Sequence, residues 1–122
     1  MVLRLGEQYL IRSEARAVQN KIDDAQSDLN VIRQRAGLES TIASDKNSLL
    51  NAILAERKAE LFTEMGHRWL DLKRTNKIDE VMSVETPQKA GGTEWKSYQQ
   101  FYPIPTRELE RAPNLIQNPG YN

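Results

Sequence analysis

The chain has 122 residues, no cysteine, and seventeen basic side chains that cancel seventeen acidic ones. That length suits a single domain, the lack of cysteine removes disulfides, thiolate metal sites and thiol nucleophiles, and the cancelled charge leaves no positive field to bind nucleic acid. Hydrophobic residues make up 39% and charged ones 28%, a slightly low apolar share, so the core is expected to be small or to lean on surface from elsewhere.

The start is dense in charge (Arg4, Glu7, Arg12, Glu14, Arg16). No apolar signal-peptide core is expected there, and no stretch approaches the ~18 apolar residues of a membrane span. The first predicted helix covers residues 3–19, with Leu3, Leu10 and Ala17 seven apart and Leu5 and Tyr9 beside them. Glu14 interrupts that row, and Asn20 is a left-handed stop. The second helix opens at Asp23 with Gln26 reaching back, repeats Ala25, Leu29, Ile32 and Ala36 at helical spacing, and stops at Gly37. Residues 3–37 therefore form a helix hairpin close to the ~34-residue tetratricopeptide unit. Leu5-Gly6-x-x-Tyr9 matches part of that repeat's pattern, and no second copy follows.

Ser44 or Asp45 caps a third helix, residues 45–65, whose apolar arc is Leu50, Ile53, Leu54, Leu61 and Met65. Gly66 ends or bends it, and a fourth helix spans 67–75 with Trp69, Leu70 and Leu72. Residues 83–101 carry Pro87, Gly91 and Gly92 among polar residues and are predicted to be a long irregular loop. The segment 102–122 holds four of the five prolines. Tyr102-Pro103-Ile104-Pro105 is extended, because residues before proline avoid the helical region, and Thr106 opens a short helical turn. The predicted fold is thus all-α: one domain over 1–122, a tetratricopeptide-like hairpin plus further helices, a long loop and an extended proline-rich tail.

Chemistry concentrates in residues 60–74, ELFTEMGHRWLDLKR, which contain the only histidine. Glu60, Glu64, His67 and Asp71 follow at spacings of four, three and four, and Glu64-x-x-His67 copies a pair used by di-iron bundles. Such a bundle needs two pairs and two more glutamates, and a bend at Gly66 would spoil the spacing. Arg57, Glu60, Glu64, Arg68, Asp71 and Arg74 instead alternate in sign at distances of three, four and seven. On a wheel of ~100° per residue Arg57, Glu64 and Arg68 sit within or against the apolar arc, where charges must meet partners. The expectation is a structural ion-pair network, with no metal and no cofactor. Carboxylates flanked by arginines should titrate low, whereas a general acid needs a raised pKa.

ERKAELFTEMGHRWLDLKR (residues 56–74) resembles the signature of the SusD/RagB family of Bacteroidetes outer-membrane lipoproteins. YLIRSEARA (9–17) with DLNVIRQRAGL (28–38) is similar to that family's helix pair, and FYPIPTREL (101–109) with PNLIQNPGYN (113–122) resembles its C-terminal end. The order and spacing match over nearly the whole chain. Met65 and Leu70 depart from the family pattern without touching the charged positions.

The resemblance implies a C-terminal portion of a non-enzymatic protein held at the outer face of the outer membrane through a lipid anchor, the lipidation cysteine lying outside this chain. Such proteins bind oligosaccharides or other nutrients for polysaccharide utilisation and pass them to a partner TonB-dependent transporter. In this segment the role implied is mainly scaffold; the alternative is a helical interaction module that contacts the transporter without meeting ligand. Candidate ligand contacts are Trp95 and Tyr98, aromatics beside Lys96, Gln99 and Gln100 in the loop that could offer faces to a sugar.

Overall fold

The computed structural model describes residues 4–121, so Leu3 and Asn122, both used above, lie outside the described residues. All α-helices are short: α1 (Leu5–Val18), α2 (Ile22–Arg35), α3 (Lys46–Glu60), α4 (His67–Arg74), α5 (Ile78–Glu85) and α6 (Thr106–Arg111), with one 3-10 turn at Ser97–Gln100. No strand occurs among the described residues, so the fold is all-α. The chain divides into two compact units, one through Asp71 and one from Leu72.

In the first unit α1 and α2 form the hairpin. Asn20 turns left-handed (φ 61°), and the Lys21 N–H bonds the Arg16 carbonyl at 2.9 Å to close α1. Gly37 closes α2 in the same manner, with φ 74° and the Leu38 N–H on the Arg33 carbonyl at 2.8 Å. The expected cap at Asp23 does not form. Lys21 occupies the N-cap without a side-chain bond, and Gln26 donates instead to the Ala43 carbonyl. Three α2 side chains spaced four and three apart hold residues 39–43 along the helix: Gln26 on Ala43, Asn30 accepting the Thr41 N–H at 2.8 Å, and Arg33 donating to the Glu39 carbonyl at 2.8 Å. Asp45 then caps α3 by accepting from the N–H groups of Asn47 and Ser48, while Ser48 Oγ accepts the Asp45 N–H.

Leu10, Ala17, Ala25, Leu29, Ile32, Leu49 and Ile53 make the core, and Ser13 bonds the Ala25 carbonyl at 2.7 Å inside it. Burying each large aliphatic there stabilises by roughly 1.5–3 kcal/mol. The arc predicted for α3 is shifted: Leu49 is fully buried, Leu50 and Leu54 are half-buried, and Met65 is exposed. Met65 is lost to the core because α3 stops at Glu60, short of the predicted end at 65. Leu5, expected beside the α1 stripe, is exposed as well.

In the second unit Leu72, Ile78 and Met82 are buried. Residues 78–85 form α5, so the irregular loop predicted from 83 begins after it. Residues 102–105 have no regular secondary structure and are closed by Gln117, whose Oε1 accepts the Ile104 N–H at 2.8 Å while its Nε2 donates to the Ile104 carbonyl at 3.0 Å.

The turn between α3 and α4 is strained. Thr63 and Met65 are left-handed (φ 61° and 47°) just before Gly66 at 71°, and a β-branched residue fits that region poorly. Thr63→Gly is expected to raise stability by roughly 0.5 kcal/mol, the relief of ~1–2 kcal/mol being partly offset by glycine's greater unfolded freedom. A denaturant melt reads the change; a lower midpoint would show that the turn is not strained.

Candidate functional site

Arg57, Glu60 and Glu64 sit where α3 and the following turn meet the hairpin. They take partners far away in the sequence. Arg57, 5% exposed, donates from Nε to Asp71 Oδ2 at 2.7 Å and places Nη2 3.7 Å from Glu7 Oε1. Glu60 takes two arginines, Arg4 from before α1 at 2.7 Å and Arg35 from the end of α2 at 2.6 Å. Glu64 pairs with the same Arg4. Arg68 is half-buried on α4 and Arg74 is its exposed last residue. The turn after Glu60 interrupts the helical spacing between α3 and Arg68.

His67 opens α4 beyond Gly66, and its Nδ1 lies 3.7 Å from Glu7 Oε1. Among the described residues no three of His, Asp and Glu gather as metal donors. The arrangement can tie α1, α2 and α4 to α3, and Gly6 serves it sterically. A Cβ there would come 2.8 Å from Glu60 Oε1.

A second cluster is one that helical spacing did not reveal. Asp28, nearly buried on the apolar row of α2, accepts from Arg12 (2.8 and 2.6 Å) and Arg16 (2.6 Å) of α1. Burial pushes its carboxyl up, but the two guanidinium groups outweigh that and hold it below the usual carboxylate range. Arg12 also stacks its guanidinium 5.0 Å from the Tyr9 ring centroid. Two signals were available: an acid three after Ala25 and one before Leu29, and arginines four apart on the neighbouring helix. Glu56 with Arg33, at 3.0 Å, is a further buried acid of this kind.

The candidate ligand residues lie in the second unit. Trp95 is half-buried and donates its indole N–H to Asp79 Oδ1 at 2.7 Å, and Ser97 Oγ donates to Asp79 Oδ2 at 2.7 Å. Those bonds, Trp95 first, hold the Asp79 carboxyl low. They pin the loop to the first turn of α5. The Tyr98 ring lies against Gly120, and Tyr121 meets it edge-on at 5.1 Å between centroids. Tyr121 in turn donates its hydroxyl to the Phe101 carbonyl at 2.8 Å, and Lys73 sits 4.7 Å from the Phe101 ring centroid. Each candidate aromatic therefore has an intramolecular contact that already uses part of it.

The profile of the SusD family matches residues 1–121. The chain is 33% identical over 123 residues to the starch-binding protein SusD of Bacteroides thetaiotaomicron, covering 98% of itself and 21% of that relative. It is 32% identical over 130 residues to a SusD-like protein of Formosa agariphila, with 99% and 24% covered. Among solved structures, a SusD-like protein of Bacteroides fragilis aligns with a TM-score of 0.75 at 29% identity, over 98% of this chain and 25% of that one. A SusD superfamily protein of Bacteroides vulgatus shares the fold, with a TM-score of 0.78 at 23% identity over 98% and 27%. The chain thus spans about a quarter of the length of these relatives.

Asp28→Asn should cost roughly 2–3 kcal/mol, below the usual penalty for splitting a buried pair because the abandoned arginines reach solvent. Since the folded carboxyl titrates below its unfolded value near 3.9, its contribution is complete above about pH 4 and is lost as pH falls through the folded pKa. Urea melts from about pH 7 to about pH 2.5 should therefore show wild type and the Asp28→Asn variant converging at the acid end; a constant gap would contradict the pairing. Gly120→Ala would drive a Cβ into the Tyr98 ring at a φ of 91°. It is expected to free the tail, read as faster hydrogen exchange at the Ile104 amide; unchanged protection there would contradict the packing.

Proposed function

The chain belongs to the SusD family, and we propose on that premise that it is the helical scaffold portion of a non-catalytic component that binds oligosaccharide at the bacterial outer membrane. The observation that carries the reading is the family match across residues 1–121, joined to a relative named for starch binding. In this reading the whole protein is tethered by a lipid anchor outside these residues, faces the cell exterior and passes its ligand to a TonB-dependent transporter. No described helix is long and apolar enough to cross a membrane.

The scaffold assignment is supported by how the conspicuous side chains are used. The signature charges form ion pairs between helices, and Trp95 and Tyr98 are engaged by Asp79 and Gly120. An open sugar platform would leave the aromatic faces to solvent. Trp95 and Tyr98 remain the residues of this segment proposed for any ligand contact, with Tyr98 able to offer only the part that Gly120 and Tyr121 leave uncovered.

An array of starch-derived and other plant and host oligosaccharides, probed with the complete gene product and with residues 1–122 alone, tests the reading. The complete protein is expected to bind at least one class and the 122-residue chain none. Equal binding by both would move the ligand site into this segment. Absence of binding by both, with transporter association retained, would favour a pure interaction module.

A further inference from the structure

The segment between α2 and α3 is bonded along one edge only. Its attachments to α2 fall on every second residue: the Glu39 carbonyl accepts from Arg33, the Thr41 N–H donates to Asn30, and the Ala43 carbonyl accepts from Gln26. The partners on α2 descend as the segment ascends, so it runs antiparallel to the helix. Burial alternates in step. Thr41 and Ala43 are half-buried, Ala43 against the core cluster, whereas Ser40 is exposed and Ile42 is 98% exposed. A period of two in both bonding and burial is the mark of a strand.

Successive residues of a strand turn their N–H and C=O groups to opposite edges. With 39, 41 and 43 bonded to α2, the backbone groups of Ser40 and Ile42 face the other way, and among the described residues neither makes a hydrogen bond. Free donors and acceptors in a row are a template for another strand, and proteins usually blunt such an edge with lysine or proline. Residues 39–44, ESTIAS, contain neither. Thr41 and Ile42 are β-branched and favour the strand conformation. The bonds to α2 already hold the segment in place, so a second strand would pair with little further ordering.

We infer that this free edge is a docking site for an extended segment of another protein, which adds to residues 39–43 as a second strand. Main-chain bonds carry recognition of that kind, and Ser40 and Ile42 each supply a donor and an acceptor for it. Charge sets the character of the partner. Glu39 and Asp45 bracket the edge, and the cations around it, Arg33, Arg35 and Lys46, are committed to Glu56, Glu60 and the Val18 carbonyl. A strand flanked by lysine or arginine is therefore the complement. A second copy of the chain fits less well, since two such short edges would bury far less than the ~1,000 Å² that a stable association of folded proteins needs.

Saturation-transfer NMR on the complete gene product tests the edge without any sugar, so its failure is separable from failure of the glycan-binding reading. The probe is the blocked peptide acetyl-Lys-Thr-Val-Thr-Val-Lys-amide. A saturable signal with a Kd on the order of 1 mM is expected, the strength of a few solvent-exposed backbone bonds. The same peptide N-methylated at its central residues keeps the side chains, loses the donors and is expected to give no signal. Ile42→Pro removes one outward N–H while keeping Thr41 in the strand region, and should weaken binding roughly tenfold. Ile42→Ala keeps the backbone and should change binding by less than about twofold. Binding of the N-methylated peptide, a readout that does not depend on how any variant folds, would overturn the inference, as would equal binding by Ile42→Pro. So would the lack of a saturable signal up to about 10 mM peptide, the edge then being closed within the polypeptide. A dimer that the peptide dissociates would overturn it too, by assigning the edge to a second copy.

Discussion

A carboxylate taken out of water between helices must find its cation on a different element, and in the first unit that requirement fixes which helices lie side by side. Asp28 of α2 is met by Arg12 and Arg16 of α1, Glu60 of α3 by Arg4 and Arg35, and Asp71 by Arg57. Desolvation offsets much of the Coulomb gain in such pairs, so their net stabilisation is smaller than their number suggests. Their stronger effect is exclusion. A hairpin slipped by one turn would part Asp28 from one of its two arginines and break the buried bond from Ser13 to the Ala25 carbonyl.

What could be read from sequence divides along the range of the interaction. The stops at Asn20 and Gly37 and the cap at Asp45 depend on the backbone within a few residues, and each was legible. The partners of Arg57, Glu60 and Glu64 were not, because helical spacing reveals only neighbours three or four apart. Apolar spacing extends α3 through Met65, whereas the backbone leaves the helix after Glu60 and takes left-handed conformations at Thr63 and Met65, a departure that apolar spacing does not announce. Helix α5 was hidden for a related reason: IDEVMSVE offers two buried positions, Ile78 and Met82, in only eight residues. In the candidate ligand region the sequence exposed the aromatics but not their engagements, since Asp79 and Gly120 lie sixteen and twenty-two residues away from Trp95 and Tyr98.

The second unit meets a different shortage. Pro103 and Pro105 have no N–H to give, so between them only Ile104 offers a backbone donor. One glutamine side chain pairs with Ile104 in both directions, and Asn118 adds a bond from its side chain to the Tyr102 carbonyl at 2.7 Å. A side-chain amide has the donor and acceptor of a peptide unit, and here it substitutes for a neighbouring strand. The result is a tail held without a sheet among the described residues.

Residues 39–43 carry the same substitution to a larger scale. Their backbone is bonded to side chains of α2, through Gln26, Asn30 and Arg33, rather than to another backbone. Chemical information has thereby moved from the connector to the helix. Side chains such as Ile42, which is almost wholly exposed and takes no part in those bonds, are open to replacement by almost any residue. The three polar positions on α2 are not, although they lie on a helix face that would ordinarily tolerate drift. Variation among such chains should therefore appear in the loop's residues, while its path stays the same.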